Sequence, residues 1–247
     1  MIYNDPMIWM PTFIFGALVG SFLNCAIHRL EVDEGFVKGR SYCPKCKTTI
    51  SAIDLIPILS FILLKGRCRE CGERISWQYP IVEAATGSIF ALTVAFHGTG
   101  GSFGALETAY FLAIFSLMVL MFVYDLKHYL IPDEAVFAAI GATVAWHGSL
   151  FVFGISSLSE IVPFLVSGLA ASGFFLAIFA LSKGTWMGFG DVKLALFMGL
   201  FLGHPGILVA LFSAFMSGAI IGSAMVLFKK KEMRSEIPFA PFLIFGT

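Results

Sequence analysis

Long apolar stretches recur along the chain and constrain its fold more than any other feature. Several run for about 20 residues, the length that a helix rising about 1.5 Å per residue needs to cross the hydrocarbon core of a bilayer. Of the 247 residues, 58% are hydrophobic and only 13% are charged, too few for the polar surface of a soluble domain. We therefore predict an all-α polytopic membrane protein. The formal net charge of zero gives no indication of a nucleic-acid partner.

The apolar runs predict about seven to eight transmembrane helices. The apolar C-terminal residues 237–247 are too short to cross a bilayer as a helix, so we expect an eighth span to be incomplete or absent. The first run lacks a basic region before it and is followed by His28 and Arg29, which favours an uncleaved span over a secretory signal. The predicted spans are 7–27, 80–97, 106–124, 134–147, 160–182, 192–204 and 205–228.

The distribution of Lys and Arg predicts the orientation. With the N-terminus outside, all 16 basic residues fall in cytosolic segments or within the first turn of the sixth span. None falls in the opposite loops 98–105 and 148–159, as the positive-inside bias requires. The cytosolic segments in this orientation are 28–79, 125–133, 183–191 and 229–236.

One extramembrane segment is large enough to form a small domain. Its length of about 50 residues is too short for a stable core without a metal or a disulfide. An apolar stretch at 53–64 within it is too short to span, and we expect it to lie in the membrane interface or to pack on the helix bundle. We divide the chain into a first transmembrane helix (1–27), a cytosolic domain (28–79) and a transmembrane bundle (80–247).

Four of the five cysteines form two Cys-x-x-Cys pairs inside this segment. Two residues within each pair let both thiolates face one ion, and two such pairs make a tetrahedral four-sulfur site for which zinc is favoured. A closed site of this kind leaves no open position for catalysis, so we predict structural zinc. Unliganded thiols or redox pairs are the alternative, and Cys25 fits a buried apolar position. The predicted ligands are Cys43, Cys46, Cys68 and Cys71.

Two aspartates fall at ends of predicted spans on the same side of the membrane. Asp125 ends the third span, and Asp191 begins the sixth span after Gly188 and Gly190. Ionisable residues at membrane depth are costly, which favours a functional role. Two carboxyl groups sharing one proton can activate a water and protonate a scissile carbonyl, while the glycines allow close approach of a substrate. The pair predicts aspartyl protease chemistry at the cytosolic membrane edge.

The acidic residues also fit purely structural roles. Asp191 could cap the sixth span, and Asp125 could be a boundary charge. Asp133 and Glu134 fit the first turn of a helix, and Glu83 fits a buried polar contact. The alternative function is a membrane transporter or proton-relay protein with a structural zinc loop, whose acidic residues should lie near the middle of the bilayer.

Several motifs, in order along the chain, also match a known family. They are Gly20-Ser-Phe-Leu-Asn-Cys-Ala-Ile-His-Arg29, the two Cys-x-x-Cys pairs, Ile75-Ser-Trp-Gln-Tyr-Pro-Ile-Val-Glu83, Asp125-Leu-Lys-His-Tyr-Leu-Ile-Pro-Asp133, Gly188-Phe-Gly-Asp-Val-Lys-Leu194 and Ile237-Pro-Phe-Ala-Pro-Phe242. In these the sequence resembles the bacterial type IV prepilin leader peptidases, of the Gly-x-Gly-Asp class of intramembrane aspartyl proteases. Departures are Ala240, where the family commonly has Gly, and Asp54, where an amide is common.

The resemblance implies a function and a site. Asp125 and Asp191 would be the catalytic pair, and the substrate a type IV pilin or pseudopilin precursor, cut after the glycine of a basic leader at the bacterial inner membrane. Members with the cysteine loop usually also methylate the new N-terminal amine with S-adenosylmethionine, and Gly66 matches a position tied to methylation. A variant of this function is a peptidase whose zinc loop is only structural or docks the secretion apparatus. The implied partners are the precursor and membrane lipid.

Overall fold

The chain folds into helices, as its apolar runs predict. A computed structural model describes residues 6–32, 40–97, 104–227 and 238–247, and in these ranges the only extended pairings are two isolated antiparallel bridges. The basic residue Lys38, those of 229–236, and Ile237 of the last motif lie outside the described residues. The helices are α1 (Pro6–Glu31), a 3₁₀ turn (Ala52–Leu55), α2 (Leu59–Leu63), α3 (Gln78–His97), α4 (Gly104–His128), α5 (Asp133–Val152), α6 (Leu158–Ser182), α7 (Phe189–Leu227) and α8 (Ala240–Gly246).

Six helices within the described ranges are long and apolar enough to cross a membrane, namely α1 and α3 to α7. Each predicted span coincides with one of these helices or with part of it. Large apolar side chains such as Phe22, Leu92 and Phe212 remain exposed on these helices, as expected for surfaces that face lipid rather than water. The chain is a multi-pass membrane protein.

The last of the six, α7, contains a break where the sequence predicts a turn between two spans. Gly203 has φ 63° and ψ −172°, and His204 has ψ 138°, so neither continues the helix. A straight helix of 39 residues would be about 58 Å long, nearly twice the thickness of a hydrocarbon core. The break divides α7 at the predicted boundary between 192–204 and 205–228. An eighth span is not confirmed, because α8 has only 7 residues.

The chain divides into two compact units, Met1–Leu120 and Met121–Thr247. In the first unit α1 packs along α3 through glycines. A side chain added at Gly16 would lie 2.9 Å from the Cα of Gly87, and one at Gly20 would lie 2.8 Å from the Cα of Glu83. Small residues at such positions let membrane helices approach backbone to backbone. The four-residue spacing of Gly16 and Gly20 thus fixes the α1–α3 pair.

In the second unit α7 is the central helix, in contact with α5, α6 and α8. The closest approach joins α6 and α7, where a side chain added at Gly199 would lie 2.5 Å from the Cα of Gly168. The short helix α8 packs so tightly on α7 that Gly246 has no room for a side chain beside Ala210. The first part of α7, which carries Asp191, is therefore held by backbone contact with α6.

We predict that Gly199→Ala destabilises the protein by about 1–3 kcal/mol, because the added methyl group must push α6 and α7 apart. The measurement is thermal unfolding in detergent micelles, followed by circular dichroism. Gly173→Ala is the matched control, since a side chain added there meets nothing within 4 Å. Equal midpoints for the two variants would contradict the close α6–α7 contact.

Candidate active site and metal centre

The two predicted catalytic aspartates are both buried at helix ends of the second unit. Asp125 lies in the last turn of α4 and is 4% exposed, and Asp191 lies in the first turn of α7 and is 8% exposed. Both belong to the same compact unit, although 66 positions separate them in the sequence. Within the described residues, Oδ2 of Asp125 is buried without a hydrogen-bond partner. This oxygen therefore has a hydrogen-bonding capacity that the described residues do not use.

The helix boundaries bear on whether these two aspartates have only a structural role. Because α7 begins at Phe189, Asp191 lies inside the first turn rather than at the N-cap, and its backbone N–H donates to the carbonyl oxygen of Gly188 at 3.2 Å. The burial of Asp125 differs from that of a solvated boundary charge. Asp133 does begin α5, as predicted for a first-turn residue.

The two glycines before Asp191 have different surroundings. A side chain added at Gly190 would lie 3.2 Å from Cβ of Ile131, in the connection that follows α4. A side chain added at Gly188 would meet only the backbone nitrogen of Gly190, at 3.9 Å. Gly190 therefore lets the α4–α5 connection lie against the start of α7, whereas a side chain added at Gly188 would not be crowded.

A second contact across the same region was not predicted from the sequence. Lys193 of α7 forms an ion pair with Asp133 at the start of α5. Its Nζ also lies 5.4 Å from the ring centroids of Phe137 and Phe189. Lys193 thus joins the start of α7 to the start of α5. Lys193 is two positions after Asp191, so the ion pair with Asp133 also helps to fix the position of Asp191.

The four predicted metal ligands meet in the first unit. The sulfur atoms of Cys43, Cys46, Cys68 and Cys71 all lie within 4.8 Å of one another. Sγ of Cys43 and Sγ of Cys71 are 3.9 Å apart. Tetrahedral zinc with Zn–S bonds of about 2.3 Å requires about 3.8 Å between sulfurs. The cluster therefore fits a tetrahedral metal ion.

The two Cys-x-x-Cys pairs have the same backbone structure. The carbonyl oxygen of Cys43 accepts the N–H of Lys47 at 2.8 Å, and that of Cys68 accepts the N–H of Gly72 at 3.0 Å. Lys47 and Gly72 occupy equivalent positions and both have left-handed backbones, with φ 60° and 70°. Each pair is thus a tight turn that directs two thiols to one side. This structural repeat has no clear signature in the sequence, because Lys47 stands where the second turn has Gly72.

Hydrogen bonds inside the turns favour the thiolate, the form that binds metal, at two of the four cysteines. The side chain and backbone of Thr48 lower the pKa of Cys46 to about 6. The backbone groups of Cys71 and Glu70 lower the pKa of Cys68. Both effects increase the fraction of ligand available to a metal ion near neutral pH.

Gly66, the residue associated with methylation by resemblance, has a clear backbone role. It has φ +66°, and a side chain added there would lie 3.1 Å from the ring of Phe61. Its N–H donates to the carbonyl oxygen of Phe61, and its own carbonyl accepts the N–H of Ile75, both at 2.8 Å. Gly66 therefore makes the turn that joins α2 to the second cysteine pair.

Two further residues singled out in the sequence lie in the first unit. Glu83 is 6% exposed, and its carboxylate accepts the backbone N–H of Ile58 at 2.7 Å, so it is a buried polar contact as expected. Cys25 is half-buried, and its sulfur lies 3.7 Å from the hydroxyl of Ser41.

Comparison with known proteins agrees with this arrangement. Residues 14–97 match the bacterial peptidase A24 N-terminal domain, and residues 112–223 match the type IV leader peptidase family. The prepilin leader peptidase/N-methyltransferase of Bacillus subtilis is 33% identical over 245 residues, which cover 95% of this chain and 90% of that protein. The chain belongs to the type IV leader peptidase family.

Other members of this leader peptidase family align over similar lengths. The prepilin leader peptidase/N-methyltransferase of Aeromonas hydrophila is 33% identical, with 94% of this chain and 86% of that protein covered. The Legionella pneumophila protein of the same name is 29% identical, with 98% and 91% covered. No solved structure matches the chain. The thiol cluster falls within the first family match, and both aspartates fall within the second.

We predict that Cys43→Ser removes most of the bound zinc, because a hydroxyl cannot replace a thiolate in a four-sulfur site. Zinc per protein is measured by elemental analysis after purification without added metal. Cys25→Ser is the control and keeps the metal of the parent protein, since Cys25 lies outside the cluster. Equal zinc in both variants would rule out a four-thiolate centre.

Proposed function

We propose that this leader peptidase family member cleaves the basic leader from type IV pilin or pseudopilin precursors, after a glycine. The observation that carries the proposal is the burial of Asp125 and Asp191 at helix ends of the second unit, with Oδ2 of Asp125 lacking a hydrogen-bond partner among the described residues. The relatives' names describe prepilin leader peptidases, which supports this substrate class for the chain.

The chemistry needs only the two carboxyl groups and a water. Two carboxyl groups that act on one water repel when both are ionised, so we assign one shared proton to the pair. The ionised group takes a proton from the water, whose oxygen attacks the carbonyl carbon of the leader glycine. The protonated group gives its proton to the carbonyl oxygen. Collapse of the tetrahedral intermediate breaks the C–N bond, and a proton returns to the departing amine.

The site is assigned to the cytosolic edge of the bacterial inner membrane, with the N-terminus outside. The positive-inside bias of the Lys and Arg residues supports this orientation. A basic leader on the cytosolic side then presents its glycine at the depth of Asp125 and Asp191. In this division of labour, residues 1–27 form the first membrane helix, 28–79 the metal-binding domain and 80–247 the peptidase bundle.

The second activity assigned to the chain is N-methylation of the new N-terminus with S-adenosylmethionine. The relatives' names as N-methyltransferases and the intact cysteine cluster support it. Zinc held by Cys43, Cys46, Cys68 and Cys71 supplies structure rather than chemistry, since four thiolates leave no open coordination position. The metal stabilises the domain that contains Gly66. A proton-relaying transporter is not favoured, because the matched relatives are named as enzymes.

We predict that Asp125→Asn and Asp191→Asn each reduce precursor cleavage by at least about a thousandfold, because neither amide can exchange the proton that the reaction requires. Cleavage is followed with a purified pilin precursor in detergent or liposomes. Glu107→Gln, at the opposite end of α4 from Asp125, is the control and retains the parent rate. Wild-type cleavage by either aspartate variant would overturn the protease assignment.

We predict that Gly66→Ala lowers methylation more than cleavage, because a side chain is strained at φ +66° and crowds Phe61. Mass spectrometry of the processed pilin gives the methylated fraction of cleaved product. Gly154→Ala is the matched control, since it has φ +67° in the α5–α6 turn, where an added side chain meets nothing within 4 Å. If both variants lower methylation equally, Gly66 has no special role in that reaction.

A further inference from the structure

The segment between the two cysteine pairs is an apolar hairpin, here defined as residues 52–64. It consists of the 3₁₀ turn and α2. Ile53 and Leu63 are each 69% exposed, and Ile62 is 63% exposed. Contiguous apolar side chains are seldom left in water by a short segment of soluble structure. The other exposed apolar residues of the hairpin are Leu55, Ile56 and Leu59.

The hairpin is anchored beside a membrane helix rather than held away from it. At the bend, Ile58 has φ 61° and donates its N–H to the buried carboxylate of Glu83 at 2.7 Å. Glu83 lies five residues after Gln78, the first residue of α3, which is about 7.5 Å along the helix axis. The bend of the hairpin therefore lies beside α3, beyond the first turn at its N-terminal end.

Most backbone N–H groups of the hairpin have a partner within the protein. Pro57 has no N–H to donate, and that of Ile58 is taken by Glu83. A segment at the membrane interface buries its apolar side chains at the boundary between headgroups and acyl chains, where backbone groups without a protein partner can still contact water. Six other N–H groups donate to carbonyl oxygens within or beside the hairpin, namely those of Asp54, Ile56, Leu59, Ser60, Ile62 and Leu64.

Aromatic and basic residues border the apolar surface. Trp77, just before α3, is 70% exposed and packs on Phe61 of α2 with ring centroids 4.9 Å apart. Lys65 and Arg67 follow α2 directly, and both are exposed. Tryptophan favours the membrane–water interface, and basic side chains favour anionic headgroups. Such a border is expected of an apolar surface that inserts into one leaflet of the bilayer.

We propose that the apolar hairpin inserts into the leaflet next to the metal centre, with lipid acyl chains covering Ile53, Ile62 and Leu63. The occupant of this surface is the bilayer itself, because the hairpin is continuous with the lipid-facing flank of α3 at Trp77 and Ile81. Lys65 and Arg67 then lie at the level of anionic headgroups. The hairpin holds the cysteine cluster at the membrane surface.

Depth-dependent fluorescence quenching tests this placement. The native tryptophans are replaced by phenylalanine (Trp9, Trp77, Trp146 and Trp186), and one reporter is introduced, either Leu63→Trp in the hairpin or Lys45→Trp in the first cysteine pair. Each protein is reconstituted in phosphatidylcholine–phosphatidylglycerol vesicles containing acyl-brominated phosphatidylcholine. Brominated lipid should quench the Leu63→Trp reporter at least threefold more than the Lys45→Trp reporter. Acrylamide in the water should quench them in the reverse order.

Two results would overturn the proposal. Strong acrylamide quenching of the Leu63→Trp reporter, with none from brominated lipid, means that the hairpin lies in water. Protection from both quenchers means that protein covers it, and if the protection is lost at high lipid-to-protein ratio, the cover is a second copy of the chain. Neither result bears on the aspartate chemistry, because the measurement uses no substrate.

The anchor is tested by two variants in the Leu63→Trp background. Glu83→Gln keeps an oxygen that can accept the N–H of Ile58, whereas Glu83→Leu has no acceptor. Quenching by brominated lipid should be retained in the first variant and fall at least twofold in the second. Zinc content checks that the cysteine cluster is still folded. Equal quenching in two zinc-loaded variants would exclude Glu83 as the anchor.

Discussion

Close backbone contact between helices is the interaction on which the rest of this structure depends. In a membrane the lipid is as apolar as the side chains, so the association of two helices depends on how closely they can pack. Here the close contacts are made by glycines, between Gly20 and α3 in the first unit and between Gly168 and Gly199 in the second. The second contact holds the first part of α7, and with it Asp191, at a defined position. Without these glycine contacts, neither the aspartate site nor the metal-binding domain would have a defined position.

The aspartate site is built from helix ends rather than from a continuous helix face. Asp125 ends one helix and Asp191 begins another, and the connection after α4 folds back on Gly190. The ion pair of Lys193 and Asp133 joins the starts of α5 and α7. This arrangement places both carboxyl groups at the ends of helices of the second unit.

Local sequence patterns were enough to predict most elements of the fold. Apolar run lengths gave the membrane helices, and the Gly203-His204-Pro205 turn gave the break in α7. Spacing alone predicted the cysteine cluster. The long-range partners could not be predicted, because nothing near Glu83 in the sequence indicates Ile58, and nothing near Lys193 indicates Asp133. Nor could run lengths alone decide the number of spans, since α8 is apolar but short and packs on α7.

The two cysteine turns share one backbone structure and enclose the whole hairpin between them. Metal bound to both turns would act as a clasp at the base of the enclosed segment. The entropic cost of closing such a segment grows only with the logarithm of its length. Insertions or replacements inside the clasp would therefore leave the four thiolates almost undisturbed. The metal centre and the enclosed segment are separable modules, and one can diverge during evolution while the other stays constant.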